Sequence, residues 1–326
     1  MGSRIVDVRQ LRAQQFQPLL QAESRAWLED LHWDYAPSSA LISSYLDEKR
    51  LSGFAVLRDS LPHGYCLYFR EGPKGLIGSL FVEPGDSQLA SATDLLCKAI
   101  DALVGFFEIR RIEAQLPHFS LDQIGPYFRS RAFQTYLRQF MAFRLVESPG
   151  GDGTSLPQSR HGGSTAPGSA FTFKPWERKF DREAAQLLHH VYRNHIDAAV
   201  NNQYCTVAGT TRLVESIVRY RGCGDYLQQA SIAAIHKSSG KLAGILGLTA
   251  VRPGTAHIPQ LAVAAGYQGI GLGSAMLHAA FEKLARLGFA EVSLTVTGLN
   301  SGAIRLYERI GFRTFREFGA FVWNRD

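Results

Sequence analysis

Residues 261–274 read Leu261-Ala262-Val263-Ala264-Ala265-Gly266-Tyr267-Gln268-Gly269-Ile270-Gly271-Leu272-Gly273-Ser274. An apolar strand ends at Val263, a short turn follows, and three glycines at alternate positions open a helix. Glycine lets backbone amides approach a ligand without obstruction by a Cβ. The free N–H groups of a helix start then point at that ligand, and the helix dipole favours negative charge. Such a loop suits a pyrophosphate. A Walker loop would need Gly-Lys-Ser/Thr at the helix start, and no lysine stands here. A dinucleotide fold places its glycines after the first strand, with an acidic residue about 20 positions on. Here the glycines follow the fourth strand of their half, and Glu291 opens a strand of its own.

Working outward, hydrophobic periodicity predicts a strand at 171–176, helices at 181–196 and 211–220, and a hairpin of strands at 231–236 and 241–250. A strand at 256–264 leads into the glycine loop and a helix over 271–287, which Gly288 ends. A strand at 291–296, a helix at 301–310 and strand structure at 315–323 complete this half.

This half resembles the GNAT superfamily of acetyl-CoA-dependent N-acetyltransferases. That family's motif after the fourth strand is Gln/Arg-x-x-Gly-x-Gly/Ala, which Gln268, Gly271 and Gly273 fill. Asn300, Ala303, Leu306-Tyr307 and Gly311-Phe312 match its later Asn-x-x-Ala-x-x-Leu-Tyr-x-x-x-Gly-Phe segment. Ala265 departs from the pattern, since many members have proline there. The resemblance implies that main-chain groups of Leu261, Ala262 and Val263 bind the pantetheine arm of acetyl-CoA at a splay in the sheet. It implies that amides of Gln268, Gly269, Ile270, Gly271, Leu272, Gly273 and Ser274 hold the pyrophosphate, that Asn300 approaches the cofactor, and that Tyr307 protonates the leaving thiolate. In histone-acetyltransferase-like members a glutamate on the fourth strand takes the proton of the amine. His257 stands at that position, and a histidine suits proton transfer near neutrality. Gln260 is an alternative that would orient a water. The implied partners are acetyl-CoA and an amine acceptor, with Asp197, Asn201, Asn202, Tyr204 and Tyr226 lying where substrate selection is expected.

The first half repeats the same order of elements about 180 residues earlier, which predicts two copies of one domain. Tyr127-Phe128-Arg129-Ser130-Arg131-Ala132-Phe133 occupies the place of Leu306-Tyr307-Glu308-Arg309-Ile310-Gly311-Phe312, so Phe128 replaces the tyrosine. At the loop it reads Val82-Glu83-Pro84-Gly85-Asp86-Ser87-Gln88. Two carboxylates repel phosphate and proline removes an amide donor, so this copy is expected to lack the cofactor site. The expected architecture is α/β (α+β), with two tandem GNAT-like domains, each a mixed, mostly antiparallel sheet flanked by helices. A degenerate domain spans 1–146, a flexible linker dense in Gly, Ser and Pro spans 147–170, and the catalytic domain spans 171–326.

The 326 residues carry a formal net charge of +6 without a long basic run. That suits an anionic nucleotide ligand better than a nucleic-acid surface. No run approaches the ~18 apolar residues of a membrane helix, and a cytoplasmic protein is expected. The four cysteines and the His189-His190/His195 group lack zinc-ligand spacing, so no metal is expected. A non-catalytic acyl-CoA sensor or interaction module on the same tandem fold is the competing reading. Aminoacyl transfer from a charged tRNA would need an RNA-binding surface.

Overall fold

The computed structural model of the chain describes residues 4–145, 167–220 and 223–325. Residues 147–166 of the expected linker lie outside this set, and Pro167–Ala170 is a single 3-10 turn. In chain order the first elements are β1 (Arg4–Asp7), α1 (Ala13–Leu31), α2 (Ala36–Asp47), β2 (Ser52–Arg58), β3 (Leu61–Glu71) and β4 (Lys74–Val82). They are followed by α3 (Gln88–Val104), β5 (Arg111–Leu116), α4 (Leu121–Ser130) and β6 (Gln134–Arg144). The later elements are β7 (Phe171–Pro175), α5 (Asp181–Tyr192), α6 (Ile196–Val200), α7 (Val207–Arg219), β8 (Asp225–Tyr226), β9 (Ile232–His236) and β10 (Leu242–Arg252). The chain ends with β11 (Thr255–Val263), α8 (Leu272–Arg286), β12 (Glu291–Thr297), α9 (Ser301–Ile310) and β13 (Arg313–Asn324).

Two compact units result, and the first is built from two separate runs of chain. One comprises Met1–Arg138 with Arg316–Asp326, the other Gln139–Phe315. In the first, the strands run β1-β2-β3-β4-β5 and then the end of β13, where Phe321 sits opposite Ala114. Phe16, Leu19 and Leu20 of α1 cover one face. Leu95, Leu96 and Ala99 of α3 and Phe128 of α4 cover the other. In the second unit β12, β11, β10, β9 and β7 are successive neighbours, and β8 pairs with β10. Met276, Leu277, Ala280, Phe281 and Leu284 recur at helical spacing on α8 and seal one face, where Met141, Phe143 and Leu145 join them. Ala184 and Leu188 of α5 and Val214 of α7 seal the opposite face.

One irregularity positions the site. β11 pairs in parallel with β12 only from Thr255↔Glu291 to Ile258↔Leu294, although both strands continue. At the same point its antiparallel register with β10 slips, from Thr249↔His257 to Gly247↔Gln260. Ile258 and Pro259 thus share one partner position, which makes a β-bulge. Proline lacks the N–H that a ladder needs, so a bulge is where a strand tolerates it. Ala256 and Ile258 face α8 before the bulge, whereas Leu261 and Val263 face it afterwards, and Ala262 turns to α5. The first unit repeats this arrangement. β4 and β5 pair as far as Ile77↔Ala114, and β4 slips against β3 between Ile77 and Ser79.

Candidate active site

Beyond Val263 the chain makes one 3-10 turn, Ala265–Tyr267, and enters α8 through Gly271. Gly269 and Gly271 have φ of 77° and 86°, the left-handed region that side chains resist. A Cβ at Gly269 would meet nothing within 4 Å, so the loop's outer surface is open. A Cβ on Gly273 would come no nearer than 3.6 Å, to Leu306, so this glycine is replaceable by alanine where the other two are not. Ala275 N–H bonds Gly271 O at 3.0 Å, and no side chain caps the helix start. The amides of Leu272, Gly273 and Ser274 therefore lie ahead of the first helical bond, and no acidic residue stands in the first turn. Gln268 braces the loop from within, its Nε2 donating to Val263 O at 2.9 Å.

The parting of β12 exposes one edge of β11. Ala264 N–H bonds Ala243 O in β10, so the peptide groups of Leu261 and Val263, three and one residues away, face the vacated side. Side chains satisfy both carbonyls. Gln268 holds Val263 O, and the Tyr192 hydroxyl donates to Leu261 O at 2.7 Å. Tyr192 stacks on Tyr204, with centroids 4.7 Å apart, and the Tyr204 hydroxyl donates to Gln260 Oε1 at 2.9 Å. Thr297, at the end of β12, donates to Asp197 Oδ1.

α9 brings Tyr307 to this group. Asn300 caps the helix, its Oδ1 accepting from Ala303 N–H at 3.2 Å. Gly311 ends it at φ 112°, where Gly311 and Phe312 both donate to Tyr307 O. Tyr307 is half-buried against Phe312, with centroids 5.6 Å apart. Burial, and then the charge of Asp197, push its phenol well above the ordinary range, so it is a proton donor and not a phenolate at neutral pH. His257 lies where β12 still pairs. It is 7% exposed, its Nδ1 lies 2.9 Å from Ser293 Oγ, and its ring rests on Phe140.

A model of the acetyltransferase (GNAT) family matches residues 175–312, the span that holds the bulge, the loop and α9. This span is a GNAT domain. Solved structures resemble the whole chain. A GCN5-related N-acetyltransferase from Sphaerobacter thermophilus superposes with a TM-score of 0.67 at 14% identity, covering 99% of this chain and 95% of that one. A tandem GNAT protein from the clavulanic acid biosynthesis pathway gives 0.60 at 16%, covering 99% and 98%. A glucosamine N-acetyltransferase region of a fungal multi-domain GH3 β-N-acetylglucosaminidase gives 0.64 at 13%, covering 99% of this chain and 38% of that one. At these identities the likeness is one of fold, and it makes the first unit GNAT-like as well. None of the curated proteins compared with the chain matches it.

The GNAT-like first unit keeps the frame and alters the chemistry. Gln88 Nε2 donates to Val82 O at 3.1 Å, as Gln268 does to Val263. Yet Glu83, Pro84 and Asp86 fill the loop, and Phe128 is fully buried, stacked on Phe321 at 3.8 Å. Among the described residues, no group of three His, Cys, Asp or Glu is placed to hold a metal ion, and no helix is long and apolar enough to cross a membrane.

Of the expected residues, the GNAT domain brings Tyr307, Asp197, Tyr204 and Gln260 to one place and the loop amides to another along the same open edge. Tyr226 is engaged elsewhere, donating to Trp176 O at 2.7 Å. Tyr192 and the bulge at Pro259 were not singled out in the sequence. A proline inside a strand was the available sign of the bulge, and for Tyr192 the sign was a hydroxyl at the end of the buried face of α5.

Proposed function

We propose that the second half of the chain is an N-acetyltransferase that moves an acetyl group from acetyl-CoA to an amine by direct attack. The observation that carries this is the continuity of three features: unbonded amides at the start of α8, the open edge at Leu261 and Val263, and a protonated Tyr307 beside that edge. Open space outside Gly269 and uncapped amides suit a pyrophosphate. The edge amides of Leu261 and Val263 suit a pantetheine arm laid along β11, and one of them would polarise the thioester carbonyl. Bound there, acetyl-CoA supplies an activated acyl group.

The chain's own contribution is to align, to hold water out and to move protons. Tyr307 donates its hydroxyl proton to the departing sulfur. Asn300 contributes indirectly, because it caps the helix that carries Tyr307. His257 is retained as the proposed acceptor of the amine's proton. It shares the α5-side face of the sheet with Gln260, so that transfer runs through intervening water or side chains. The first half, with carboxylates in its loop and Phe128 for the tyrosine, is proposed to bind no coenzyme A.

Calorimetric titration of acetyl-CoA tests the reading. One site per chain is expected, and Gly271→Glu, which forces a carboxylate and a strained φ into the loop, should abolish it. Two sites would overturn the assignment of the first half, and no binding would overturn the enzyme. The competing reading is a non-catalytic acyl-CoA sensor. A sensor needs only the loop and the edge, so a half-buried, protonated tyrosine at the edge favours catalysis.

A further inference from the structure

The two carbonyls at the open edge of the GNAT domain are held by side chains of different kinds. Gln268 holds Val263 O, and the first unit repeats that bond through Gln88 and Val82 O, although Glu83, Pro84 and Asp86 fill its loop. That brace therefore belongs to the frame that both units share. The bond on Leu261 O comes from Tyr192, in the last turn of α5. In the first unit, Glu23 of α1 reaches the strand just past its slip and accepts from Ser79 and Tyr65. Glu23 accepts where Tyr192 donates, so the donor on Leu261 O goes with the unit that keeps the loop and Tyr307.

Tyr192 is the last link in a chain of donors. The Tyr204 hydroxyl donates to Gln260 Oε1 at 2.9 Å. With that oxygen accepting, the side-chain nitrogen of Gln260 is the donor in its bond to Tyr192. The proton of Tyr192 goes in turn to Leu261 O, at 2.7 Å. Gln260 is buried, and Tyr192 stacks on Tyr204 with centroids 4.7 Å apart, so packing holds the links as well as their bonds. Each donor polarises the next, which strengthens the final bond.

The chain closes around one peptide group. Gln260 and Leu261 are consecutive, and the peptide between them carries the Leu261 N–H, which faces the open edge. Its carbonyl end is held on the far side, where Gln260 pairs with Gly247 of β10. The Gln260 side chain is fixed before this peptide, and the Leu261 carbonyl is fixed after it. β12 has parted from β11 here, so no strand on that side sets the tilt of the N–H. We infer that Tyr192 is a positioning residue: through Leu261 O it sets the angle at which the Leu261 N–H meets the thioester carbonyl. This rests on the acetyltransferase reading and deepens it, because a donor polarises a carbonyl only when it is already aimed at the oxygen. Tyr192 acts through the strand and not on the reacting atoms, with Gln260 and Tyr204 supporting it.

The test reads the carbonyl itself, with acetyl-CoA isotope-labelled at the thioester carbon as the probe and no acceptor present. Bound to the full-length chain, its infrared carbonyl band is expected at lower wavenumber than in free acetyl-CoA. Tyr192→Phe keeps the ring on Tyr204 and should lose most of that shift. Its calorimetric dissociation constant for acetyl-CoA should change less than about twofold, since the loop amides are untouched. Tyr204→Phe removes only the most distant link and should give an intermediate band. Tyr226→Phe deletes a bond of the same kind, to Trp176 O at 2.7 Å, and should leave the band where the wild type has it. A wild-type band in Tyr192→Phe, or an equal loss in Tyr226→Phe, would overturn the inference. Should Tyr192→Phe fail to fold, Tyr204→Phe decides, and an unmoved band there would overturn it as well. Absent acetyl-CoA binding by the wild type would overturn the acetyltransferase reading, whereas binding with an unshifted band would overturn this inference alone.

Discussion

Tyr307 shows how one side chain was identified by sequence and explained by structure. Its spacing from Asn300 and Gly311 is visible in the chain, whereas the burial and the nearby charge of Asp197 that raise its phenol belong to the structure. Tyr307→Phe removes the phenol's proton without altering the loop amides. Turnover is expected to fall about 10²- to 10⁴-fold, with acetyl-CoA affinity changed less than about twofold. Steady-state thiol release and calorimetry on the same preparation check this. Equal losses in both would assign Tyr307 to binding. Asn300 carries a second, local role. The resemblance implies that it approaches the cofactor, and the structure adds that its Oδ1 accepts from Ala303 N–H as the cap of α9. An asparagine just ahead of a helical run is a cap signature that could have been read directly.

At the scale of elements, most strands and helices lay within a few residues of where periodicity placed them. β12 and α9 begin where expected because Glu291 and Ser301 follow Gly288 and Asn300, which interrupt the apolar pattern. The division of α5 from α6 was missed, since the apolar spacing runs on through Ile196 while the chain breaks at Arg193-Asn194-His195 to let His195 cap α6. The length of α9 depends on its end. Gly311 adopts φ 112°, and a Cβ there would stand 3.1 Å from Phe143. Gly311→Ala should cost about 1–2 kcal/mol through left-handed strain and crowding. Denaturant unfolding measures it, and a neutral result would show that α9 can end in another conformation.

The whole molecule adds a balance of buried charge in the first unit. Glu23 is fully buried, accepting from Tyr65 and, at 3.3 Å, from Ser79. Burial raises its carboxyl from 4.5 to about 7, against hydrogen bonds that favour ionisation. Between those values the native state holds a proton that the unfolded chain has lost, so stability falls as pH rises. His118 packs edge-on against Trp27 and is lowered from 6.5 to about 4 by burial and then by Arg316. Between those values the unfolded chain holds the extra proton, so stability rises with pH. The slopes oppose each other and nearly cancel between about pH 4.5 and 6.5, where the wild type should have a flat Tm. Glu23→Gln removes the falling limb. Its Tm should climb across that window by the equivalent of about 3 kcal/mol. Parallel profiles for variant and wild type would show that Glu23 ionises normally.

Local chemistry explains what the sequence determined by itself: the order of the elements, the two left-handed glycines of the loop, the caps of α9, and the loss of loop and hydroxyl in the first copy. Each depends on residues within a turn or a strand of one another. Contacts distant in sequence belonged to the tertiary structure. Tyr192 meets Leu261 across 69 positions, and Asp197 meets Thr297 across 100. The parting of β12 from β11 depends on a register slip against a third strand. The same holds for the composition of the units, in which residues 139–145 help close the second core and Phe321 completes the first. Burial on a shared face selects these partners, and spacing along one segment does not encode the face that another segment will present.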